Sequence, residues 1–198
     1  MVIISSIKPD NLGIRNKIKY KYDNYIVYQE QDSFSFVHLL ERTPLEWKNS
    51  VRDFLDNGQD SFLFIGKGEK FGDNTSKACI VEGHVNLSGK NPLVGKNVDK
   101  YGPRFFDVTD LYSKKLAEKI FVQNSEVCSG NILIPNRMEK LTELENKVLN
   151  LKDLNFAGIS QDIYAGALTA KHAKAKSAGL LLYQDEYDIT DIINLEKI

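Results

Sequence analysis

Short apolar runs alternate with amphipathic stretches along the chain. Val2 to Ser5, Tyr25 to Tyr28, Ser61 to Ile65 (SFLFI), Ala78 to Val81, Asn131 to Ile134 (NILI), Leu154 to Ile159 and Gly179 to Tyr183 are brief, mostly apolar and ended by turn formers, a pattern that predicts strands. Between them, Leu45 to Asn57 reads as a helix with Leu45, Val51, Phe54 and Leu55 inward and Gly58 as its stop. Thr109 is placed to cap a helix that aligns Tyr112, Leu116 and Ile120, with Ala117 and Phe121 beside them. Met138, Leu141, Leu144, Val148 and Leu151 form the stripe of another helix, and Asp162 to Ser177 an Ala-rich one closed by Gly179. This alternation predicts a single α/β domain over residues 1–198, with a mixed, mostly parallel sheet covered on both sides as an α/β/α sandwich. In such folds ligands sit beyond the carboxyl ends of strands, so the polar residues at strand ends carry the functional interest.

One segment breaks the pattern. Residues 83–105, GHVNLSGKNPLVGKNVDKYGPRF, have no apolar period and are rich in Gly, Pro and Asn. Leu87, Leu93, Val94, Tyr101 and Phe105 supply anchors that a solvated linker lacks. A loop of this length in a compact domain points to function.

Composition narrows the classes. Of 198 residues, 42% are hydrophobic and 27% charged, with a net charge of −1. With both signs intermixed along the chain, there is no global attraction to nucleic acid or an anionic membrane, so neither is expected as a partner. Cys79 and Cys128 stand outside any CxxC or Cys/His cluster and read as free thiols of a reducing cytoplasm. The N-terminal apolar run is too short, and lacks the basic flank, for a signal peptide; Leu180 to Tyr183 is far below a membrane span.

The chemistry-bearing residues are sparse. Gly66-Lys67-Gly68 ends a strand, but its spacing misses the dinucleotide fingerprint, leaving a tight turn whose amides can face a ligand. His38, His84 and His172 are not at metal-ligand spacing, so neither a metal nor a cofactor is expected. Glu139 lies just beyond the NILIP strand end and Asp185 follows the last strand; on a parallel sheet both would reach one rim and one pocket. Ser160 ends a further strand (FAGIS). Taken singly, each reads first as a surface polar group or a cap; the three together support a shared pocket as well.

The stretch HVNLSGKNPLVGKNVDKYGPRFFDVTDLY resembles the trimeric, low-molecular-mass purine nucleoside phosphorylase family. The resemblance rests on His84, Asn86, Leu87, Gly89, Asn91, Pro92, Leu93, Gly95, Asn97, Gly102, Arg104, Phe105 and Tyr112, which match the family's D-H-I-N-L, G-x-N-P-L-x-G-P-N and F-G-x-R-F-P segments in one spacing. LNFAGIS, AKHAKAKSAGLLLYQD and PNRME continue it more weakly. It implies a pentosyltransferase-type fold, a homotrimer, and a purine nucleoside or base as ligand, with phosphate as a possible co-substrate. By that resemblance Glu139 would bind a purine ring NH. Asp185 would serve N7 and stabilise charge as the base leaves, and so is the implied catalytic residue. Ile159, together with Phe105 from a neighbouring subunit, would pack on the ribose, and Ser160 would hold phosphate.

The pattern departs where phosphate should bind. The first strand leads into IKPDNLG, keeping only Leu12 and Gly13 of the family's G-S-G-L-G loop. In place of Q-G-R-x-H, Gln29, Glu30, Gln31, Asp32 and Ser33 follow Tyr28. A C-terminal helix bearing a sugar-contacting His is expected to be missing or reduced in the short run after Asp185. A carboxylate from Asp10, Glu30 or Asp32 in the cradle would repel phosphate. The sequence therefore leaves open phosphorolysis, hydrolysis by water, and a catalytically degenerate binding or assembly protein.

Overall fold

The computed structural model describes residues 1–13, 17–30, 34–72, 75–194. Its strands are β1 (Val2–Ser5), β2 (Lys17–Lys21), β3 (Tyr25–Glu30), β4 (Phe34–Leu39), β5 (Ser61–Lys67), β6 (Glu69–Lys70), β7 (Ala78–Asn86), β8 (Val127–Ile134), β9 (Phe156–Ile159) and β10 (Lys176–Leu182). Its α-helices are α1 (Pro44–Asp56), α2 (Lys114–Ile120), α3 (Glu143–Leu149) and α4 (Tyr164–His172). All the strands join one sheet, in the order β2-β3-β4-β1-β5-β10-β7-β8-β9-β6. The ladders β4-β1-β5-β10 and β7-β8-β9 are parallel, whereas β10 meets β7, and β6 meets β9, antiparallel.

Alternation along the strands builds the layers. Val2, Ile4, Phe62 and Phe64 turn to one face, where Trp47 and Val51 of α1 and Tyr164 and Ala167 of α4 cover them. Ile3, Leu63, Ile65, Leu180 and Leu182 turn to the other, under Leu116 and Ile120 of α2 and the segment carrying Ile189 and Ile192. The expected mixed, mostly parallel sheet between helices is what forms.

Only Gly68 separates β5 from β6, and those two strands pair with β10 and β9 respectively. The sheet therefore curls until the carboxyl end of β9 meets that of β5. A Cβ at Gly68 would lie 2.9 Å from the Ile159 carbonyl, which explains the glycine.

Helix α1 falls within a residue of its expected bounds, whereas α2, α3 and α4 start later and end sooner than their apolar stripes suggest. α1 is capped by Thr43, whose side chain accepts from the Glu46 N–H at 3.2 Å, and Leu45 near its start points outward, 52% exposed. The cap of α2 is Ser113, not Thr109, and Tyr112 precedes the helix. α3 begins at a capping box in which Thr142 and Glu145 satisfy each other's backbone, so Met138 and Leu141 pack from the loop before it, while Leu144 and Leu151 are exposed. α4 stops at His172 because the chain must turn into β10.

Candidate functional site

The parallel core brings the carboxyl ends of β1, β4 and β5 to one rim: Ser5 lies in register with His38 on one side and Ile65 on the other. The curled end of the sheet adds β9, because the Ser160 N–H donates to Leu133 and the Ser160 hydroxyl donates to the Lys67 carbonyl at 2.5 Å. Four strand ends thus surround a buried polar knot.

At its centre is Asp162, only 5% exposed. Its Oδ2 accepts from the Ser6 hydroxyl at 2.6 Å and from the Lys67 N–H at 2.9 Å. The Asp162 N–H donates to Ser160 Oγ at 3.0 Å, so the Ser160 hydroxyl both donates and accepts within the knot. Burial raises the Asp162 pKa above the ordinary carboxylate value, against the opposing pull of Ser6, the Lys67 amide and the charges of Arg42 and Lys67. The next residue, Ile163, is fully buried with φ +60°, a conformation that costs a β-branched residue on the order of 1–3 kcal/mol. That strained turn directs the Asp162 side chain inward while α4 starts immediately behind it. A Cβ on Gly66 would meet the Asp162 Cβ at 2.6 Å, so β5 is kept bare for the carboxylate to approach.

A basic margin lies beside the knot. His38 is 8% exposed at the end of β4, with its ring against the Ser5 and Ile7 backbone, and burial lowers its pKa. Arg42, exposed just beyond β4, lies close enough to act electrostatically on both His38 and Asp162. Neither was singled out by sequence as belonging to this rim. The expected site after Tyr28 is placed elsewhere. β3 runs antiparallel to β4, so Glu30, opposite Phe34, lies at the far end of that ladder. Gln31, Asp32 and Ser33 lie outside the described residues. Asp10 is exposed on a 3-10 turn near Tyr28. The carboxylate buried at this rim is Asp162, reached from the other end of the chain.

The remaining candidates lie outside this knot. Asp185 is exposed and ion-paired with the Lys67 ammonium, while its carbonyl accepts from Asn11 at 3.3 Å. Glu139 is exposed on the segment between β8 and α3. Since β10 and β8 flank β7 in opposite directions, the two carboxylates do not share a rim by the parallel-sheet argument; only the curl at Gly68 brings their strand ends round toward each other. Ile159 is buried against Leu133 and Leu149. Phe105 is 86% exposed, beside a cavity of about 420 Å³ lined also by Leu93, Arg104, Phe106 and His172.

The loop from Leu87 to Phe106 is ordered by local bonds. Asn86 Oδ1 accepts from the Ser88 N–H and hydroxyl, and Asn97 Nδ2 donates to Gly102 at 2.9 Å. Gly102 has φ +154° and no room for a Cβ, which would sit 2.1 Å from the His172 carbonyl.

No family model matches the sequence. Among curated proteins, the purine nucleoside phosphorylase of Anopheles gambiae is 34% identical over 64 residues, covering 31% of this chain and 17% of that protein. The purine nucleoside phosphorylase of Mus musculus is 24% identical over 127 residues, covering 60% of this chain and 43% of that protein. The chain is a distant homologue of purine nucleoside phosphorylase. The matched stretches span less than half the length of either relative.

The fold agrees over a much larger share. Isoform 2 of the Schistosoma mansoni purine nucleoside phosphorylase, solved with cytosine and ribose-1-phosphate, superposes with a TM-score of 0.69 at 18% identity, covering 100% of this chain and 82% of that one. A Schistosoma purine nucleoside phosphorylase solved with hypoxanthine gives a TM-score of 0.72 at 14% identity, covering 96% and 78%.

Proposed function

We propose that this chain binds a purine base or nucleoside on a phosphorylase scaffold and does not carry out phosphorolysis, because its own Asp162 carboxylate fills the anion position. The observation that carries this reading is the Asp162 knot. Its oxygen takes up the hydroxyl of Ser6 and the amide of Lys67, donors at strand ends where the family resemblance implies phosphate, and the Ser160 hydroxyl is already engaged. A phosphate brought there would lose those donors and meet a carboxylate.

The ligand class rests on the homology and on the retained segment 84–112. Asp185 and Glu139 are the proposed base-binding carboxylates, with Asp185 held at the end of β5 by Lys67. Ile159 and Phe105 are the proposed ribose contacts. Phe105 and Val94, 86% and 81% exposed, are an apolar surface suited to burial against a second subunit, so a homotrimer is part of the proposal. Calorimetric titration with hypoxanthine and with adenosine tests the ligand class. Binding that weakens on Asp185→Ala supports it; no heat and no competition by either compound defeats it.

A second reading draws on the same group. A buried carboxylate with a raised pKa suits a general base, so hydrolysis by water in place of phosphate is the alternative chemistry. Release of free ribose from a nucleoside, abolished by Asp162→Asn, would select it.

A further inference from the structure

Cys79 of β7 and Cys128 of β8 are direct partners in a parallel ladder. Neighbouring strands lie about 4.8 Å apart, and paired residues project to the same face. That spacing falls within the range of about 4.4–6.8 Å over which a disulfide closes between Cα atoms. The two thiols are in contact in the structure and are reduced there. Cys79 is fully buried in the core, whereas Cys128 is only partly buried and reachable from solvent. The Tyr183 hydroxyl, which donates to the Ala157 carbonyl at 2.8 Å, adjoins both sulfurs, and Ser76 adjoins Cys128.

Their chemical states differ. The neighbouring Cys79 sulfur, then Ser76 and Tyr183, outweigh burial and bring the Cys128 thiol down to about 6. The same contact, together with burial, pushes the Cys79 thiol up. One sulfur is therefore suited to attack and the other to remain a protonated thiol beside it.

We propose that Cys128 and Cys79 form a peroxide-reactive dithiol, Cys128 attacking and Cys79 resolving, that closes to an intramolecular disulfide. The Cys128 thiolate attacks one peroxide oxygen and the O–O bond breaks. The sulfur becomes a sulfenic acid, and the departing hydroxide takes a proton to leave as water. Cys79 then attacks that sulfur and gives up its proton. The S–S bond forms and the sulfenic oxygen leaves as a second water. The two thiols supply the two electrons that reduce hydrogen peroxide to two waters. This site shares no residue with the Asp162 knot, its Cys79 lying two strands from β5, and does not depend on the ligand proposed for it.

The test uses the full chain. After brief exposure to hydrogen peroxide and alkylation under denaturing conditions, digestion and mass spectrometry are expected to find one peptide pair joining Cys79 to Cys128, lost on reduction. Before oxidation, Cys128 should alkylate in the native protein at least about tenfold faster than Cys79. In Cys79→Ser the reaction should stop at a sulfenic acid on Cys128 that dimedone traps. Should that variant fail to fold, the wild-type cross-link decides alone. Two thiols still free after peroxide, or Cys128 joining separate chains in place of Cys79, would overturn the proposal.

Discussion

Replacing Asp162 with Ser should turn a closed knot into an anion site. In the wild type, Asp162 Oδ2 lies 2.6 Å from the Ser6 hydroxyl and 2.9 Å from the Lys67 N–H, so an incoming anion has neither donor available. Above the raised pKa of Asp162 the repulsion is large as well: two unit charges about 4 Å apart at an effective dielectric near 20 interact by about 4 kcal/mol. At about 1.4 kcal/mol per factor of ten, removing the charge should raise anion affinity by roughly two to three powers of ten. Asp162→Ser also empties space and leaves the Ser6 and Lys67 donors unpaired, at a cost of about 1–3 kcal/mol that a bound anion offsets. Asp162→Asn removes the charge but keeps the volume and an acceptor for the Ser6 hydroxyl and the Lys67 N–H, so it should relieve the repulsion without freeing the donors and gain less than Asp162→Ser. Titration with sulfate, whose charge is constant over the working range, separates these effects by calorimetry and by the anion-dependent rise in melting temperature. Equal sulfate affinity in wild type, Asp162→Ser and Asp162→Asn would refute the reasoning.

Other consequences follow from single groups. Glu145 is buried and accepts from the Asn136 N–H at 2.7 Å and the Thr142 N–H at 2.6 Å, so Glu145→Ala should lower unfolding stability by about 2–3 kcal/mol in denaturant titration. Those bonds also hold its pKa below the ordinary value, so this stabilisation should be present above the normal carboxylate range and lost as pH falls through the depressed value. Burial brings His84 down to about 4, with Nδ1 and the Tyr112 hydroxyl 3.1 Å apart. Its contribution should therefore be complete above about pH 6.5 and lost toward pH 4; a flat melting temperature across that window in wild type, or no difference in slope from His84→Gln, would contradict this. Phe105→Glu should leave the unfolding stability of the protomer within about 1 kcal/mol of wild type while converting the proposed trimer to monomer in sedimentation.

Much of the fold was legible because strand and helix periods are local. SFLFI, NILI and FAGIS carry their own signal, and the alternation of β5 places Phe62 and Phe64 opposite Leu63 and Ile65 as period two requires. Helix ends were less legible. Thr142 and Ser113 form caps inside apolar stripes that continue on both sides, so backbone hydrogen bonding fixes the start where hydrophobic spacing does not. FSFVHL follows the polar run after β3 with no Gly or Pro between them, so β4 and the placement of its His38 beside Ser5 are not legible in the sequence. Asp162 was read as part of a helix, since its meaning depends on Ser6, 156 positions away, and on a fold that brings both to Lys67. An aspartate two residues after a strand-ending serine was the available clue. Pairing it with Ser6 required the curl at Gly68, which no local pattern announces.

Turnover of a purine nucleoside at increasing phosphate concentration decides whether Asp162 closes the phosphate position. The predicted result is that the wild-type chain forms no ribose 1-phosphate at any phosphate level. Ribose 1-phosphate appearing in proportion to base, with a rate that saturates in phosphate, would contradict it.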